Sequence, residues 1–117
     1  MQFDPMTPIW LQVMTAIQTD IVTGKRQPGE KLPGGRDLAL EFSINPNTAA
    51  RVYQELEKEG LCETRRGLGT FVTGNRDRIL ALRHAMARQA VRQCGQTLRS
   101  LGVARDEAIQ MMLEEDD

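Results

Sequence analysis

Apolar residues recur every three or four positions through most of the chain, and glycine or proline punctuates them. Trp10, Val13, Met14, Ile17 and Ile21 form one such stripe, preceded by Thr7-Pro8 and followed by Gly24. The pattern predicts a helix with Thr7 as N-cap and Pro8 at N1. After the Pro28-Gly29 turn, Glu30 to Leu32 allows a very short strand. Leu38, Ala39 and Phe42 give an apolar side to a second helix from Gly35 or Arg36 to Phe42. A short link leads to NPNTAARVYQELEKEGL (Asn45–Leu61), where Asn45 suits an N-cap, Pro46 N1 and Gly60 C′. Leu61–Arg66 and Thr70–Thr73 alternate around Gly67-Leu68-Gly69 and predict a β-hairpin. Asp77 to about Leu101 reads as one long helix, which Gly102 ends. Ala104–Glu114 forms a last one, with Ala108, Ile109, Met112 and Leu113 on its apolar side.

The third helix carries the informative polar face. At about 100° per residue, Ala49, Val52, Tyr53 and Leu56 gather on one side. Asn47, Ala50, Arg51, Gln54 and Lys58 lie opposite, and Glu55, Glu57 and Glu59 fall on the flanks. Alone, such a face describes any solvated amphipathic helix. Asn and Gln can also bond adenine, and Arg guanine, in the major groove, where a carboxylate on the same line would repel phosphate. The surroundings favour this second meaning. Two helices joined by a short link and followed by a hairpin with Arg65 and Arg66 near its tip make a winged helix-turn-helix. In that arrangement the N-terminal residues of the third helix reach base edges first, here Asn47, Thr48 and Arg51. The helix N-terminus at Asn45 points backbone N–H groups at phosphate.

The fold class expected is mainly α with a small β-hairpin: a winged helix-turn-helix over residues 1–75, then a two-helix dimerisation element over 76–117 with an acidic tail, Glu114–Asp117. In that element Ile79, Leu82, Met86, Ala90, Cys94, Leu98 and Leu101 form a continuous apolar line, with Ile109 and Met112 on the last helix. One short helix is too little to cover it, so a second copy of the chain is expected there.

Composition changes this picture little. The net charge of −1 counts against nucleic-acid binding only if charge is spread evenly, because the local patch sets the field at a contact. Cys62 and Cys94 lack metal or redox spacing and read as free thiols in a reducing cytoplasm. The only histidine, His84, gives neither a metal site nor a catalytic set, and no nucleotide-cradling loop is present. No cofactor is expected. No signal peptide and no run of apolar residues long enough for a membrane span are present. Trp10 and Tyr53 are expected in the core.

LPGGRDLALEFSINPNTAARVYQELEKEGLCETRRGLGTFV resembles the GntR family of bacterial transcription regulators. Its NPNT, ELEKEGL and TRRGLGTFV runs are most similar to the YtrA subfamily, whose C-terminal part is a small dimerisation element. The resemblance implies that Arg36 contacts DNA from the start of the second helix, and that Asn47, Thr48 and Arg51 read bases and phosphates. Gln54 lies on the same face. It further implies a DNA-touching wing made by Arg65, Arg66, Gly67, Gly69 and Thr70. Gly34-Gly35 departs from the family, which usually has a serine after the Leu-Pro pair; a hydroxyl contact to phosphate is lost there. The function implied is a cytoplasmic repressor that binds an inverted-repeat operator in double-stranded DNA as a homodimer; the subfamily resemblance points to a transporter operon. A small-molecule effector is unidentified: either one sits between the dimer and the DNA-binding domains, or control is by expression level. The rival functions are a winged-helix module for protein–protein contact and a non-specific DNA binder.

Overall fold

The computed structural model describes residues 1–115; the last two residues of the acidic tail lie outside the described region. In chain order the elements are α1 (Ile9–Val22), α2 (Gly35–Phe42), α3 (Pro46–Lys58), β1 (Cys62–Arg65), β2 (Gly69–Val72), α4 (Arg76–Ser100) and α5 (Arg105–Glu114). The chain divides into two compact units, one ending at Leu82 and one beginning at Arg83.

The first unit is a three-helix core with a hairpin. Val13, Ile17 and Ile21 of α1, Leu38 of α2, and Ala49, Val52 and Leu56 of α3 are buried together with Leu32, Leu61 and Val72. α3 packs against both α1 and α2. α1 starts one residue later than the sequence suggested. Pro8 is its N-cap position, and the Thr7 hydroxyl donates to Asp4 Oδ2 (3.2 Å) instead of capping the helix. The turn between α2 and α3 is set by Ser43, which adopts φ 55° while the Ile44 N–H donates to the Ala39 carbonyl (2.9 Å). α3 begins as expected: Asn45 Oδ1 accepts the Asn47 N–H (2.7 Å) and Pro46 occupies N1. It ends at Gly60, φ 72°, where the Gly60 and Leu61 N–H groups close the last turn onto Glu57 and Leu56.

β1 and β2 pair antiparallel, Cys62 opposite Val72 and Arg65 opposite Gly69. The short strand expected at Glu30–Leu32 is reduced to a single bridge, Lys31 to Phe71, flanked by the bonds Leu32 N–H to Thr70 O and Val72 N–H to Glu30 O (both 2.8 Å). It is nonetheless a third row on the hairpin.

The first turns of α4 belong to the first unit, so the division falls inside that helix and not at 75/76, where composition changes. Ile79 and Leu82 are 8% and 7% exposed within the single chain. Both were assigned from sequence to a dimer seam; being already covered, they have little surface left for a partner. Arg78 Nε donates to the Glu59 carbonyl (2.8 Å) and its Nη2 pairs with Glu59 Oε2 (3.2 Å), tying the start of α4 to the C-terminal end of α3. The second unit holds the rest of α4, a reversal at Gly102 (φ 74°), and α5. None of its described residues is buried.

Candidate nucleic-acid interface

α3 separates its polar groups along its length. At the N-terminal half, Asn47, Ala50, Arg51 and Gln54 are exposed and Thr48 is half-buried, with no carboxylate among them. At the C-terminal half each glutamate is engaged. Glu55 pairs with Lys58 (3.8 Å), Glu57 Oε2 accepts from the Thr64 hydroxyl (3.4 Å), and Glu59 holds Arg78. The end of the helix that carries amide and guanidinium donors is thus the end with free N–H groups and the positive dipole. Asn45 contributes by geometry: its side-chain oxygen is spent on the cap, which leaves its amide donor and the exposed helix start. Arg36, at the second position of α2, is exposed and lines a shallow groove with Leu40, Ser43, Ile44 and Pro46, next to the start of α3. Leu40, four residues on, is 78% exposed on the same stripe.

The wing has an inner and an outer face. Cys62 and Val72 point into the core. On the outer face Arg65 stacks on Phe71 (4.4 Å to the ring centre) and pairs with Glu63 (2.6 Å). Arg65 is therefore already paired with a carboxylate, whereas Arg66, at the turn, makes no ion pair among the described residues. Gly67 and Gly69 have φ 78° and 119°, conformations that favour glycine, and Leu68 N–H closes the turn onto Arg65 O (2.9 Å). Thr70 is half-buried and shares a contact with Thr64 across the hairpin (Oγ1 to Oγ1, 3.4 Å).

Lys31 was missed in the sequence. It is exposed on the third row, beside Phe71, and its side chain crosses Gly69 so closely that a Cβ there would lie 2.9 Å from Lys31 Cε. The missing side chain at Gly69 makes room for this cation on the wing. The signal was available only in part: Glu30–Leu32 read as a strand, but nothing in the sequence said which row it would join. Trp10 was also misjudged. It is half-buried, and the Arg51 guanidinium lies over its ring, Cζ 4.3 Å from the centroid. Tyr53 is half-buried too, and its hydroxyl donates to the Pro33 carbonyl, so it anchors the loop before α2 and does not face a base.

Among the described residues no helix is long and apolar enough to cross a membrane, and no cluster of His, Cys, Asp and Glu could hold a metal ion. In the second unit the exposed apolar side chains include Leu101 (70%), Ile109 (50%), Met112 (67%) and Leu113 (74%). Cys94, Leu98, Ala108, Met111 and Met112 line a groove of about 340 Å³ between the second part of α4 and α5.

Comparison with known proteins agrees with this architecture. The model of the bacterial regulatory proteins of the gntR family matches residues 10–72. The HTH-type transcriptional repressor YtrA of Bacillus subtilis is 43% identical over 76 residues, which are 63% of this chain and 58% of YtrA. The structure of a GntR family transcriptional regulator from Listeria monocytogenes superposes with a TM-score of 0.91 at 33% identity, over 97% of this chain and 100% of that one. The DNA-binding domain of AraR, crystallised in complex with operator ORX1, superposes with a TM-score of 0.58 at 30% identity, over 62% of this chain and 93% of that one. The chain belongs to the GntR family, whose members are transcription regulators and not enzymes.

Proposed function

We propose that this GntR-family regulator is a cytoplasmic repressor that binds an inverted-repeat operator as a homodimer. α3 enters the major groove from its N-terminal end. Asn47, Thr48, Arg51 and Gln54 face base edges. Arg36 and the start of α3 at Asn45 hold phosphate. The wing, with Arg66, Lys31, Gly67, Gly69 and Thr70, follows the adjacent backbone, and Arg65 reaches phosphate only by giving up Glu63.

The observation that carries DNA reading is the division of α3: donors unpaired by acids at one end, every glutamate engaged at the other. The dimer rests on a second observation. The unit after Leu82 buries none of its described residues; Ala90, Cys94, Leu101, Ile109 and Met112 are exposed, and Met86 and Leu98 on the same line are only half-buried. Patches of this kind mark interaction surfaces. A two-fold partner offers the same patch back, and two-fold protein symmetry calls for a palindromic site.

The test is selection from random duplex DNA at near-physiological salt, with the enriched pool sequenced. An enriched inverted repeat is expected. Enrichment of a single half-site would remove the dimer from the reading. Binding with steep salt dependence and no preferred sequence would make the protein an architectural binder instead. Complete absence of DNA affinity in a folded sample would favour a protein–protein module.

A further inference from the structure

Trp10 is the only tryptophan of the chain and sits at the second position of α1. It is only half-buried, although α1 carries a fully adequate apolar stripe without it. Its ring is spent on Arg51, which lies in the middle of the exposed line Asn47, Arg51, Gln54 on α3. Arg51 makes no ion pair among the described residues, and its guanidinium lies over the neutral indole ring instead.

The chemistry of that stack matters. A guanidinium can lie flat on an aromatic ring, and all five of its N–H donors then lie in a plane parallel to the ring and point outward. Stacking therefore restrains the side chain without consuming a donor. An arginine on a solvated helix face samples many rotamers, and ordering it opposes binding. Held against a rigid ring, it loses part of that freedom before DNA arrives.

We infer that Trp10 is a positioning residue of the DNA-reading surface: it holds Arg51 with its donor edge free for a guanine in the major groove. This rests on the function proposed above. It extends the reading surface to α1, which no sequence motif would include. Loss of the ring frees Arg51, so discrimination at the base pair Arg51 reads falls, while contacts made by the wing and by Arg36 persist.

The full-length protein and the operator obtained by selection provide the test. Wild type, Trp10→Leu, Trp10→Phe, Arg51→Ala and the Trp10→Leu/Arg51→Ala double variant are titrated against the operator, a set of operators altered at each base pair, and unrelated duplex. Thermal unfolding is followed in parallel. Arg51→Ala is expected to relax preference at one base pair per half-site. Trp10→Leu is expected to weaken operator binding by on the order of three- to tenfold, at that same base pair, leaving unrelated duplex and unfolding temperature unchanged. The double variant should match Arg51→Ala alone, and Trp10→Phe should restore most of the loss. Tryptophan fluorescence, excited selectively so that it reports Trp10 and not Tyr53, should shift in Arg51→Ala and again on operator addition.

Additive single losses, an equal loss on every duplex, or a loss that tracks unfolding temperature would each overturn the inference and leave Trp10 a packing residue. If Trp10→Leu fails to fold, the fluorescence of Arg51→Ala decides: an emission unmoved from that of the wild type overturns it. Wild-type protein that selects no sequence overturns the proposed function itself, and this inference with it.

Discussion

Up to Leu82 the chain builds a buried apolar core of its own; beyond Leu82 none of its described side chains is buried. The first unit closes α1, α2, α3 and the hairpin around Ile17, Leu38, Val52, Leu56 and Leu61, each with no more than a trace of exposure. The second has helices of ordinary amphipathic pattern and buries none of its described residues. Both units show apolar residues three or four apart. The difference lies in what the stripe meets. Three helices and a hairpin supply faces enough for mutual burial. A helical hairpin supplies two, and two faces cannot enclose a core. One unit encloses a core within a single chain; the other does not, and a second copy is proposed to complete it.

The largest effects should separate the two. Leu56→Ala, at a fully buried position of α3, is expected to cost about 2–5 kcal/mol. That loss should be the same at every protein concentration, because the missing contacts lie within one chain. Ile109→Asp should act in the opposite manner. The residue is 50% exposed, so the first unit keeps its fold, but a charge enters the face proposed to meet a second copy. Sedimentation equilibrium is expected to give monomer, and operator affinity should fall by more than about tenfold, since mass action no longer supplies the second half-site contact. The pair Leu82→Ala, within α4, and Leu101→Ala, in the turn that follows it, sharpens the contrast. The first should lower intrinsic stability, the second the dimerisation constant. Ile109→Asp protein that remained dimeric and bound its operator undiminished would sink the reading of the second unit.

The boundary between these regimes was invisible in the sequence. Ile79, Leu82, Met86 and Leu98 share one stripe, and periodicity reports which side of a helix is apolar, not which partner covers it. Local signals were legible where local chemistry decides. Asn45 and Pro46 at the start of α3, Gly60 at its end and the glycine-rich hairpin turn all appear as expected. The Glu63–Arg65 pair could have been read as well, because residues two apart on a strand share a face. Lys31 beside Gly69 and Arg51 over Trp10 could not. Each joins elements far apart in sequence, and only the packing of those elements brings the groups within reach.

A smaller effect, confined to the first unit, comes from pH. Cys62 is 4% exposed on the inner face of β1. Burial, with Glu57 and Glu63 adding, pushes its thiol from 9.0 up to about 12. Burial also raises the Tyr53 phenol, against an opposing contribution from Arg26. In the unfolded chain the thiol loses its proton near its ordinary value, while the folded chain keeps it. The stability this represents is complete below that value and is lost as pH rises through it, at about 1.4 kcal/mol per pH unit for one group. Urea unfolding at pH 7.5, 9 and 10 should show the decline, and Cys62→Val should remove the thiol's share and leave that of Tyr53. A decline unaltered by Cys62→Val would mean that the thiol titrates equally in both states.

The smallest effect tests how complete the first unit is. The N-cap position of α2 is Gly34, which has φ −62° and ψ 165° and offers no side-chain cap, although Leu38 N–H reaches the Gly34 carbonyl (2.9 Å). A Cβ built there meets nothing within 4 Å. The position is thus open and already in the extended conformation of an N-cap residue. Gly34→Ser should add a hydroxyl to the free N–H groups of the first turn and raise stability by a few tenths of a kcal/mol. The same hydroxyl lies two residues before Arg36, at the end of α2 proposed to hold phosphate. Affinity should therefore rise on operator and unrelated duplex alike, since phosphate contacts carry no sequence information. A gain in stability without a gain in affinity would move this end of α2 off the DNA, and with it the phosphate role of Arg36. A gain confined to the operator would place the helix start nearer the bases than the wing geometry implies.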